Sequence, residues 1–147
     1  MTEVERQSSI DLLKECNAGA KMAVDSMKEV IDRIHDPQMK EIILCSMEEH
    51  QKIGDKTHED LLKMGADDKA PQPMAKAMSW LKMNMKLTMD PSDHEVADLM
   101  IDGCNMGIKS ISEYMNRYRK AEQSVRNQVQ DLIKIEKDLM DKLQVYL

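Results

Sequence analysis

The sequence predicts an all-α protein: two antiparallel helical hairpins joined by a long crossover that contains a short helix. Three observations lead there. Apolar residues recur at three- and four-residue steps along almost the whole chain, and no segment alternates as a strand does. Breaks fall at Asp36-Pro37, at GADDKAPQP from Gly65 and at DPSD from Asp90, cutting the pattern into helix-sized pieces. The first break is so short that it favours two helices lying antiparallel as neighbours.

Each element follows from its seam. The first helix carries Ile10, Leu13, Asn17, Ala20, Val24, Met27, Ile31 and Ile34, and stops at Asp36 because a residue before proline resists helical geometry. The second carries Ile43, Met47, His50, Gly54, Thr57, Leu61 and Met64, and stops at Gly65. A short helix from about Met74 to Met89 lies within the crossover, which spans residues 65–92. Ser92 and Glu95 form a capping box that opens the third long helix. Its seam is Val96 or Ala97, then Met100, Cys104, Gly107, Ile111, Met115 and Tyr118. The last seam is Val125, Val129, Leu132, Glu136, Leu139, Leu143 and Tyr146. Between these two, RYRKAEQS holds no Gly or Pro. An unbroken helix from Asp93 onward would be about 80 Å long at ~1.5 Å per residue, too long for a domain of this size, so a turn is expected near Arg119 to Glu122.

Composition bounds the function. The chain has 147 residues, 33% charged and 41% hydrophobic, which is one globular domain over 1–147. A net charge of -6 with scattered Lys and Arg argues against nucleic acid or an acidic membrane surface as partner. The opening MTEVERQSSIDLL lacks the basic start and apolar stretch of a signal peptide, and three cysteines without a CxxC read as reduced thiols. The expected location is cytoplasmic. The 15 methionines with no phenylalanine read as a plastic helical core; the sharper alternatives are an adaptable binding surface or a soft-metal site.

The stretch MEEHQKIGDKTHEDLLKMG, from Met47 to Gly65, sets two histidines among acids. His50 falls on the buried seam, whereas Glu48, His58 and Glu59 fall outside it. Asp55-x-x-His58 has ligand spacing but reads as a solvated pair. Residues equidistant from a hairpin turn share one level, so Met22 is expected to face His50 and Cys104 to face Glu136. Both levels lie roughly 20 to 25 Å from their turns, which puts His50, Cys104 and Glu136 in one layer with Asn17 about a turn away. A buried glutamate is costly unless paired, and His50 is the available partner. Two readings of the layer follow: a His-Glu pair that fixes the register of the bundle, or a mononuclear metal site using His50, Cys104 and Glu136.

The chain resembles the ferritin-like superfamily, in particular its small bacterial four-helix-bundle members with a degenerate diiron site. The resemblance rests on the order of several motifs: NAG from Asn17 with the DP turn, EEH followed by LLKMG, a Trp-bearing crossover helix, IDGCNMG with a downstream Tyr114, and the closing IEKDLMDKLQVYL. It implies the single-crossover bundle topology. Active members bind two irons with a Glu from each of two helices and a Glu-x-x-His pair from each of the others. Carried over, those positions fall near Ala20, on Met47 and His50, on Cys104, and on Ile133 and Glu136. One carboxylate, one histidine and one thiol remain, a set from which a hard dinuclear oxygen site cannot be rebuilt.

The crossover helix presents a second apolar face of Trp80, Met83 and Leu87, expected to bury itself in a homodimer. Trp80-x-x-Met83-x-Met85 resembles a copper-binding string, but on a helix Met83 and Met85 point about 200° apart. No Gly-x-Ser-x-Gly and no phosphate loop is present, and a Cys104-His50-Glu136 triad would sit in a closed core without substrate access. The expectation is therefore a non-enzymatic ferritin-like bundle with a structural or protein-interaction role and no cofactor. The alternative is a protein holding a single zinc, iron or copper ion.

Overall fold

The computed structural model describes residues 1–67 and 90–147, and among these all regular structure is helical. The helices are α1 (Glu3–Val30), α2 (Pro37–Lys63), α3 (Asp93–Arg117) and α4 (Gln123–Leu143). α1 opens on a capping box that the sequence carries as Thr2-x-x-Glu5. The Thr2 hydroxyl accepts from the Glu5 N–H at 3.1 Å, and the Glu5 carboxylate accepts from the Thr2 N–H at 3.0 Å. The helix tightens into a 3-10 turn at Ile31–Arg33. Asp36 then caps α2, accepting from the Met39 N–H at 2.9 Å, with Pro37 at the first helical position where its missing N–H costs nothing.

α2 ends in a Schellman turn: the Ala66 N–H donates to the Leu61 carbonyl and the Gly65 N–H to that of Leu62. Gly65 has φ 69°, which a side chain would strain. At the head of α3, Ser92 supplies its half of the expected capping box, accepting from the Glu95 N–H at 3.1 Å. The expected turn between the last two helices lies where α3 ends at Arg117 and α4 begins at Gln123.

Long-range hydrogen bonds fix the directions. Arg6 Nη2 donates to the Met64 carbonyl, and the Glu122 N–H donates to Ser9 Oγ, so the start of α1, the end of α2 and the α3–α4 turn share one end. At the other end the Asp93 carboxylate accepts from the His35 and Asp36 N–H groups, and the Tyr146 hydroxyl donates to Asp36. The order is up-down-down-up, with α1 against all three other helices and α4 against α2 and α3. The link from α2 to α3 must join opposite ends of the bundle. Its residues 68–89, with the expected short helix and the Trp80, Met83 and Leu87 face, lie outside the described residues.

Two apolar clusters fill the interior. One gathers Leu12, Leu13, Leu61, Ile111, Val129 and Leu132; the other gathers Met27, Met39, Ile43, Met100, Leu139 and Leu143. Along α2 and α4 the positions between them are polar or small: Ser46, His50, Gly54 and Thr57 on one helix and Glu136 on the other. The bundle therefore carries a polar belt at its waist. No helix of the described residues is long and apolar enough to cross a membrane.

Candidate functional site

The belt is built from side chains that helical periodicity drives inward. Glu136 lies between the buried Leu132 and Leu139, and His50 lies on the face of α2 that buries Ile43 and Leu61, so burial of those faces carries both into the core. His50 is completely buried, and the Glu136 side chain is 11% exposed. Their contact is direct: His50 Nε2 lies 2.8 Å from Glu136 Oε1. The other ring nitrogen, Nδ1, lies 2.7 Å from the Ser46 carbonyl oxygen and 3.3 Å from the Ser46 hydroxyl.

These partners dictate where hydrogens sit. A carbonyl only accepts, so Nδ1 carries a hydrogen and donates it. The bond between Nε2 and the carboxyl then holds one further proton, on the ring or on the acid. Burial, the largest influence on His50, disfavours the charged ring. The hydrogen bond and negative charge of Glu136, with help from the Ser46 carbonyl and Glu49, outweigh it and raise the His50 pKa.

Cys104 completes the layer from α3. Burial pushes its thiol far above the ordinary range, and the adjacent Glu136, through its charge and a hydrogen bond to the sulfur, pushes it further. Cys16 is likewise buried, its thiol pushed up to about 12 chiefly by desolvation. Neither thiol is disposed to act as a nucleophile, because the thiolate is the reactive form.

The structure thus brings His50, Cys104 and Glu136 into one layer from three helices. Asn17 stands a turn away with different partners: its Nδ2 donates to the Gly54 carbonyl at 3.0 Å and to Thr57 Oγ1 at 3.1 Å. Glu48, Asp55, His58 and Glu59 are exposed on the outer face of α2. The level opposite His50 differs from expectation. A cleft of about 150 Å³ between α1 and α2 is lined by Val24 as well as His50, and Ala20 stands opposite Gly54, so the α1 level lies about two residues beyond Met22. The 3-10 turn and the extended Ile34 after it explain the shift together, since both rise more per residue than an α-helix and α1 needs fewer residues to reach the same height.

No family model, curated protein or solved structure matches this chain. The site has to be judged on its own chemistry. Ala20, Met47 and Ile133, which occupy three of the carried-over ligand positions, offer no hard oxygen ligand, so the donor set does not fit a diiron centre. Among the described residues no group of three His, Cys, Asp or Glu side chains is arranged as a metal site.

Sequence reasoning missed three buried polar groups, Ser9, Ser46 and Glu15, of which Glu15 is the charged one. Glu15 of α1 is 9% exposed, and its Oε2 has no hydrogen-bond partner among the described residues. It lies two residues from Leu13 and Asn17, off the single seam assigned to α1. The signal that could have found it is the apolar or small character of Leu12, Cys16 and Ala18 around it, which marks a stretch enclosed on more than one side.

Proposed function

We propose that this chain is a ferritin-like bundle protein without enzymatic activity, in which the diiron position has been replaced by a His-Glu clasp that holds helix register. Its role is then structural or protein-interactive, in the cytoplasm, as a homodimer through Trp80, Met83 and Leu87. The observation that carries this reading is the 2.8 Å contact between His50 Nε2 and Glu136. Two ligands on one tetrahedral zinc, with bonds of ~2.1 Å, stand about 3.4 Å apart. The pair is closer than that and is bonded to itself. The up-down-down-up order supports the ferritin-like topology, in which one long crossover joins the second and third helices.

Two observations favour a second reading: His50, Cys104 and Glu136 meet in a single layer from three helices, and a ring Nδ1 donating to a carbonyl is how a metal-bound histidine is usually held in orientation. A mononuclear zinc, iron or copper protein would use those residues. Metal analysis of protein purified without chelator, followed by cobalt titration, separates the two. The clasp reading expects no stoichiometric metal, no thiolate charge-transfer band and an unmoved melting temperature. A stoichiometric cobalt band that Cys104→Ser abolishes would replace it with the metal reading.

A further inference from the structure

Glu15 sits where α1 packs on α3. The charged groups that act on it are Arg117 of α3 and Asp11 of its own helix, and its own charge acts on Tyr114 of α3; among the described residues no charged group of α2 or α4 contributes. Arg117 is drawn elsewhere, its guanidinium carbon lying 5.1 Å from the centre of the Tyr114 ring, which itself stacks on Tyr118. No ion pair is formed between Arg117 and Glu15. The carboxyl is therefore enclosed, faces a second acid on its own helix, and keeps one oxygen without a partner. An enclosed carboxyl in that position is tolerated when protonated and strongly disfavoured when ionised.

We propose that Glu15 is a proton-operated latch on the α1–α3 seam, closed when the carboxyl is protonated and loosened when it ionises and must reach water. Desolvation, only partly offset by Arg117, raises its pKa from 4.5 to about 7. The direction of the effect follows. A carboxyl that binds its proton more tightly in the closed state stabilises that state fully below 4.5, and this stabilisation is lost as pH rises towards about 7. The seam thus tightens on mild acidification and loosens as the medium passes through neutrality.

Two measurements on the full chain test the latch. Carbon-13 carboxyl titration by NMR should give Glu15 a midpoint of about 7; a midpoint near the ordinary carboxylate value would overturn the proposal without any mutation. Amide hydrogen exchange at Tyr114 to Arg117, corrected for intrinsic pH dependence, should speed up by as much as about tenfold per pH unit between the two values and then level off. In Glu15→Gln, which keeps the shape and cannot ionise, that acceleration should vanish. An acceleration that survives the substitution would assign the pH response to another group and end the latch.

Discussion

Among the described residues two carboxyl groups lie in the interior of this bundle, Glu136 and Glu15, and their surroundings are opposite. Glu136 shares a hydrogen bond of 2.8 Å with the His50 ring and stands beside the Cys104 thiol, and the pair with His50 closes the waist. Glu15, on the α1–α3 seam, leaves Oε2 without a partner among the described residues. Burial is similar, at 8% and 9% exposure, so depth does not distinguish them. The difference lies in the partners. A buried polar group with its hydrogen bonds made is a fixed part of the structure, and one left without them is costly in its charged form.

The largest effect expected of this contrast is at the clasp. Glu136→Leu keeps volume but leaves the His50 ring buried without its acceptor, and should cost about 3–5 kcal/mol in urea unfolding. The double variant His50→Leu with Glu136→Leu should recover most of that loss, because removing both partners leaves no orphan. A single variant as stable as the wild type would show that the clasp contributes nothing to the fold.

The two sites should also separate along the pH axis. His50 has a raised pKa in the folded state, so the stability it contributes is fully present below the ordinary imidazole value and is lost as pH rises through the raised one. Glu15 acts in the same direction but lower, between 4.5 and about 7. Wild-type stability should therefore fall in two successive steps from mildly acidic to alkaline pH. Glu15→Gln should remove the lower step and His50→Gln the upper one. If either substitution flattened the whole profile, the two sites would be coupled, and the contrast between them would fail.

Much of this arrangement was legible in the sequence, for identifiable reasons. Six of the seven α4 seam residues are buried, Tyr146 being half-buried, because α4 shows one clean apolar stripe and packs as such a stripe should. The partnership of His50 with Glu136 followed from the cost of burying a glutamate with no cation near it. Glu15 was hidden because α1 packs on all three other helices, so it is buried on more than one face, and a one-seam reading leaves such a residue outside. The α3–α4 turn has no glycine or proline. It is held by Glu122 bonding to Ser9 across 113 residues and by Arg126 Nη1 donating to the Met115 carbonyl, contacts that no local pattern carries.

A satisfied neutral group gives a middle case. Asn17 donates twice across the α1–α2 interface, to Gly54 and Thr57, and is 1% exposed. Asn17→Ala removes both buried hydrogen bonds, although the Gly54 carbonyl still accepts from the Thr57 hydroxyl, and should cost about 1–3 kcal/mol. Because no ionisation is involved, the cost should be the same at pH 5 and pH 8. A pH-dependent cost would mean that the waist belt and the Glu15 seam communicate through α1.

The smallest effect belongs to Gln128, which combines both conditions in one side chain. Its Nε2 donates to Asp60 Oδ2 at 2.7 Å, while its Oε1 is buried without a partner among the described residues. Asp60 keeps Lys56 at 2.6 Å when the amide is gone. Gln128→Met loses one hydrogen bond and at the same time removes one orphaned acceptor, terms of about 1 kcal/mol each and of opposite sign. The net change in unfolding free energy should stay within about 0.5 kcal/mol of zero. A loss of about 2 kcal/mol or more would show that Oε1 does have a partner. The rule drawn from Glu136 and Glu15, that unpaired polar atoms rather than depth decide the cost of burial, would then not extend to neutral groups.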